Sequence, residues 1–157
     1  MHRYQNPLIV VADAEHARLI RTSPEYVLHT ERHFDSAAAH RRSSDLGSDR
    51  PGASYHSDSS AHHGLAPRHD LHDQQKSAFA RFLAEQLNAM PAQSFDGLVL
   101  CAPSHCLQDM LDGLHAEVRA KLAGSLAKDL VKIPDDQLWQ HLQAFLPEPA
   151  PLRQKRR

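Results

Sequence analysis

Two short runs of uninterrupted apolar residues, Leu8-Ile9-Val10-Val11-Ala12 and Leu98-Val99-Leu100-Cys101, constrain the fold of this chain more than any other feature. A strand with one wet face alternates apolar and polar residues, so a run without alternation belongs to a strand covered on both faces. Between the runs stands a helical pattern over Gln74 to Met90. Phe79, Phe82, Leu83, Leu87 and Met90 recur at helical spacing, Asp70 or Asp73 can cap the start, and Pro91 follows the end. A helix that joins two buried strands requires a parallel crossover.

The remaining elements fall around these two strands. His16 to Thr22 alternates, with Ala17 and Leu19 opposite Arg18 and Ile20. A turn at Ser23-Pro24 leads into Tyr26 to Phe34, where Tyr26, Leu28 and Phe34 are expected on one face and His29, Glu31 and His33 on the other. After Cys101, Pro103-Ser104 opens a helix bearing Leu107, Met110, Leu111, Leu114 and Val118, interrupted at Gly113, with Ser104 expected as its N-cap. Leu122 to Lys128 reads as a strand. Pro134-Asp135-Asp136 starts a last helix with Leu138, Leu142, Phe145 and Leu146 inward, stopped by Pro147, Pro149 and Pro151. The order β-β-β-loop-α-β-α-β-α predicts an α/β fold of the ribonuclease H-like kind: a mixed five-stranded sheet, antiparallel meander plus parallel strands, with flanking helices.

A chain of 157 residues suits one domain, expected over 1–147, with a Pro-rich basic tail at 148–157. Lys and Arg number 18 and Asp and Glu 19, so overall charge does not mark a polyanion binder. From Asp35 to about Asp73, Ser, His, Asp, Arg and Gly dominate and almost nothing is apolar. Such a stretch cannot offset its ordering entropy by burial, and a loop of this length points to function or disorder. The thirteen histidines add positive charge as pH falls toward 6. Cys101 and Cys106 match neither a disulfide framework nor a zinc pair and read as reduced, buried thiols. The run at Leu8–Ala12 is too short for a signal-peptide core or a membrane span, which places the protein in the cytoplasm as an expectation.

The sequence resembles a bacterial group, the host-attachment protein family. The matching residues are Ile9-Val10-Val11-Ala12-Asp13 with Ala17-Arg18, then Ser48-Asp49-Arg50-Pro51-Gly52, then Phe79-Ala80-Arg81 with Leu83-Ala84. Leu98-Val99-Leu100 with Ala102-Pro103, and Lys128-Asp129-Leu130, complete the series. The family is similar in turn to the middle domain of archaeal and eukaryotic peptide-chain release factors, which implies a ribonuclease H-like fold and a ribosomal setting. The Gly-Gly-Gln motif of those factors is absent from this sequence. Ala14 and Ala53 stand where the family commonly has Gly and Arg.

Individual residues carry the functional expectations. Asp13 closes the first central strand, where ribonuclease H-like nucleases hold a metal, with Glu15, Asp96 and Asp129 as conceivable partners. The plainer reading has Asp13 capping a turn and Asp129 pairing with Lys128 or Arg18. His62, His63, His69 and His72, with Asp70 and Asp73, form the densest set of possible metal ligands. Ser104-His105-Cys106 lacks the elbow of a nucleophile site. Asp49-Arg50-Pro51-Gly52 forms a turn that projects Arg50. Arg18, Arg41, Arg42, Arg50, Arg68 and Lys128 are the candidate phosphate contacts, joined by Arg153, Lys155, Arg156 and Arg157 of the tail. No cofactor motif is present. The expectation is a non-enzymatic RNA- or ribosome-binding module. The alternatives are a regulatory or protein-interaction factor for attachment to host cells, with a protein partner held through the polar loop, and a metal-dependent nuclease.

Overall fold

The computed structural model describes residues 4–25, 27–37 and 68–146, with side chains in the last segment from Gln74 onward. Five strands form one sheet: β1 (Pro7–Ala12), β2 (His16–Thr22), β3 (Leu28–Asp35), β4 (Gly97–Cys101) and β5 (Leu122–Leu126). Their order is β3-β2-β1-β4-β5. The first three strands form an antiparallel meander, whereas β4 lies parallel to β1 and β5 parallel to β4. This is the ribonuclease H-like mixed sheet, and the two uninterrupted apolar strands sit at its centre. Every residue of β1 and β4 is buried.

Alternation along those strands feeds two cores. Leu8, Val10, Leu98 and Leu100 point to one face, where α1 (Arg68–Ala89), α2 (Ser104–Gly113) and α3 (Ala116–Arg119) cover them with Phe79, Leu83, Leu87, Met110 and Val118. Ile9, Val11, Val99 and Cys101 point to the other face, closed by Leu130, Leu138, Leu142 and Leu146. A fully buried Leu or Ile contributes roughly 1.5–3 kcal/mol, so both faces supply real stability. The second cover is thin: a 3-10 turn at Asp135–Gln137 and a four-residue helix α4 (Trp139–Leu142) stand where one continuous helix was expected. Leu138, Leu142 and Leu146 nonetheless point inward as anticipated.

Four details differ from expectation. α1 begins at Arg68, not Gln74, because its first turns are built from polar residues that carry no apolar stripe. Most of the polar stretch, residues 38–67, lies outside the described residues. Leu28 and Phe34 do not share a face. The register shifts between Leu19 and Ile20, which pair with Arg32 and Thr30, so Glu31 is an extra residue in β3. This bulge turns the strand over: Leu28 joins the second core, while Phe34 packs on the first and meets Phe82 edge-on, ring centres 5.8 Å apart. Finally, Ser104 is not a cap. It is the first residue of α2, Pro103 occupies the cap position, and no side chain caps the helix.

Gly113 ends α2 where that helix crosses α1 most closely; a Cβ there would lie 2.8 Å from the Ala84 methyl. Asn88 of α1 secures the break, donating from Nδ2 to the Gly113 carbonyl and accepting from the His115 amide.

Candidate functional site

β1 and β4 run side by side and in the same direction, but the chain leaves them oppositely, to β2 from one and through α2 toward β5 from the other. In open α/β sheets this divergence opens a crevice beyond the carboxyl ends of the strands. Here it is a cleft of about 310 Å³ lined by Ala14, Lys76, Ser77, Pro103, Ser104, His105, Cys106 and Asp109. Ala14 comes from the β1–β2 turn, Lys76 and Ser77 from α1, and the rest from the start of α2.

Each wall has a local cause. Asp13 folds the turn: its Oδ1 accepts from the amides of Glu15 at 2.8 Å and His16 at 2.6 Å. Asp13 thus serves the backbone, as the plainer reading held. Ser77 Oγ donates to Asp109 Oδ2 at 2.8 Å and locks α1 to α2 across the cleft floor. The first internal bond of α2 runs from the Leu107 amide to the Pro103 carbonyl, so the amides before it have no partner within the helix. Lys76 and these amides offer positive character, and Asp109 opposes it.

The thiol of Cys106 is pushed up from its ordinary range by burial first and then by Asp109 and Asp13, with Lys76 acting in the opposite sense. It stays protonated at neutral pH, the reverse of what a nucleophile needs. Among the described residues no hydrogen bond joins Ser104 and His105 to each other or to an acid. The cleft can accommodate a small polar group but has no activated nucleophile.

The carboxylates considered for metal chemistry are dispersed. Asp96 lies at the opposite end of the sheet, accepting from the amides of Gln5 and Asn6 at 2.7 and 2.9 Å. Asp129 accepts from the Val131 amide rather than pairing with Lys128 or Arg18. Among the described residues no three His, Cys, Asp or Glu side chains are grouped to hold a metal ion. His62 and His63 lie outside the described residues; His69 and His72 fall in the first turns of α1, whose side chains are not described.

Of the candidate phosphate contacts, Arg18 and Lys128 are described in full, and they differ. Lys128 is exposed just beyond β5. Arg18 is turned inward: Nη1 meets Asp135 Oδ1 at 3.0 Å, and Nη2 donates to the carbonyls of Leu130 at 3.1 Å and Ile133 at 2.5 Å. Asp135 is the partner that local reading missed, because nothing short-range links residues this far apart. Arg41, Arg42, Arg50 and its turn from Asp49 to Gly52 lie outside the described residues, as do Arg153, Lys155, Arg156 and Arg157. Arg68 opens α1. The cleft residues Lys76, Ser77 and Asp109 were not singled out from sequence; the topological rule for crevices was the available signal.

Among the described residues no helix is long and apolar enough to cross a membrane. A family model described as "Protein required for attachment to host cells" matches residues 8–142. No curated protein matches the sequence. Among solved structures, the chain is similar to an archaeal translation termination factor, aRF1, at 11% identity and a TM-score of 0.48, covering 88% of this chain and 38% of that one. The chain therefore spans well under half the length of that factor.

Proposed function

The chain belongs to the family of proteins required for attachment to host cells, and from that premise we propose that it is a non-enzymatic module that binds RNA or the ribosome in the cytoplasm. The observation that carries this reading is how charge is divided along the chain. Side chains of the described body include nine Lys and Arg against thirteen Asp and Glu; the other nine cations and six acids belong to the two termini, residues 38–67 and the first turns of α1. The body has an acidic surplus, and the most accessible positive charge is concentrated in polar segments. That division suits a contact made to phosphates by extended basic segments rather than by a preformed groove. The protonated thiol of Cys106 and the dispersed carboxylates favour binding over catalysis.

Co-sedimentation of the purified chain with ribosomes, at low and at high salt, tests the proposal. Binding at low salt that weakens on raising salt, and weakens further in Arg50→Ala with Arg68→Ala, is the expected result. Binding that ignores both salt and these substitutions, or no binding at all, overturns it. The family description favours a second reading, a regulatory or protein-interaction factor in attachment, which takes first place if ribosomes and RNA are not bound.

A further inference from the structure

The sheet has two outer strands, and they are finished differently. β3 exposes His29, Glu31, Arg32 and His33 and carries the bulge at Glu31, both of which deter pairing with another chain. β5 reads Leu-Ala-Gly-Ser-Leu, without a charge or a proline. We propose that the outer edge of β5 is a self-association surface, where two copies of the chain pair their β5 strands antiparallel about Gly124.

The backbone hydrogen bonding supplies the first argument. The Leu126 carbonyl is aimed at β4, where it accepts from the Ala102 amide at 3.1 Å. Peptide groups alternate in direction along a strand, so those of Gly124 also face β4, its neighbour being Val99. Ala123 and Ser125 then turn their N–H and C=O outward, and among the described residues nothing bonds to them. A two-fold axis at Gly124 sets Ala123 against Ser125 of the partner subunit, so these outward groups satisfy one another in both directions. The register needs no adjustment.

Charge supplies the second argument. Arg119 and Asp129 are both exposed and stand equally far from Gly124 along the chain, on opposite flanks. The same axis brings each Arg119 toward Asp129 of the partner subunit. Lys121 then comes opposite Ala127, and Lys128 opposite Ala120, so no like charges oppose one another. Identical strands thereby meet with complementary ends.

Sedimentation velocity on the full chain, from about 1 to about 100 µM, reads the association directly. A reversible dimer is expected in this range, since so short a strand pair is a small interface. Ser125→Pro removes an outward N–H without touching the bonds to β4, so the dimer should weaken at least about tenfold while the fold is kept. Asp129→Lys should also weaken it, and Arg119→Glu added to Asp129→Lys should restore it, a test that stands even if the proline variant fails to fold. A chain that stays monomeric throughout overturns the proposal, as does a dimer indifferent to these substitutions. A monomer whose Ser125 amide is protected from exchange assigns the edge to residues 147–157 instead and equally overturns it.

Discussion

The guanidinium of Arg18 and the carboxylate of Asp135 meet at 3.0 Å and join β2 to the thin layer that closes the second face of the sheet. Asp135 also accepts from the Thr30 amide at 2.8 Å and the Thr30 hydroxyl at 2.7 Å, so one side chain holds two strands to the segment that follows β5. The side chain of Arg18 is only 12% exposed, and its Nε is buried without a partner. That cation depends heavily on Asp135.

Asp135→Ala should therefore cost about 2–4 kcal/mol, because it strands a mostly buried charge and leaves Thr30 unpaired. Arg18→Met, which removes the charge and keeps the bulk, should cost less. Urea unfolding of the two variants decides it, and an equal or smaller loss in Asp135→Ala would contradict this account.

Arg18 also separates a structural cation from a functional one. Where the protein retains its fold, Arg18→Met should leave RNA affinity and its salt dependence unchanged, since the guanidinium faces inward. Lys128→Ala, at an exposed site, should lower the slope of log affinity against log salt by roughly 0.7–0.9 if Lys128 touches a phosphate. Filter binding at several salt concentrations measures both.

The bulge at Glu31 predicts an asymmetry between substitution and deletion. Glu31→Ala leaves the backbone path intact and should cost under about 1 kcal/mol. Deleting Glu31 realigns the strand, carries Phe34 away from Phe82 and should cost several times more, on the order of the 3–5 kcal/mol of a lost core aromatic. Thermal melts with near-ultraviolet circular dichroism report stability and ring environment together.

Burial pushes the Cys101 thiol up to about 12, against an ordinary value of 9.0. A pKa raised on folding gives stability that is full below about 9 and is lost as pH climbs toward 12, at up to about 1.4 kcal/mol per pH unit. Cys106 shifts in the same direction. Cys101→Val should flatten the loss of stability between about pH 9 and 11. In the native protein at neutral pH both thiols should resist iodoacetamide, and both should react once unfolded.

Much of this architecture was legible in side-chain patterns, because the uninterrupted runs at Leu8–Ala12 and Leu98–Cys101 leave few alternatives to a central parallel pair. The alternation in β2 and the break at Gly113 were equally direct. The turnover of β3 was hidden, since a bulge is a property of backbone pairing and Glu31 is an unremarkable residue for an exposed strand. The start of α1 was hidden by composition: Arg68 to Asp73 holds polar residues that suit a helix end and a loop alike. The cleft was illegible for another reason. Ser77 and Asp109 are linked only through packing between α1 and α2, and Arg18 finds Asp135 only after the second face closes.

The parallel pairing of β1 with β4, in which Pro7 meets Gly97, also bears on how the chain is made. During synthesis β1, β2 and β3 emerge first, and one side of β1 waits for its partner until Cys101 has left the ribosome. At about 5–20 residues per second that interval lasts several seconds. The most apolar strand of the molecule meanwhile presents an open side while the long polar stretch is still being extruded behind it. A nascent chain arranged this way invites a chaperone early, and its yield in cells should depend on elongation rate between β3 and β4 more than on the stability of the finished fold.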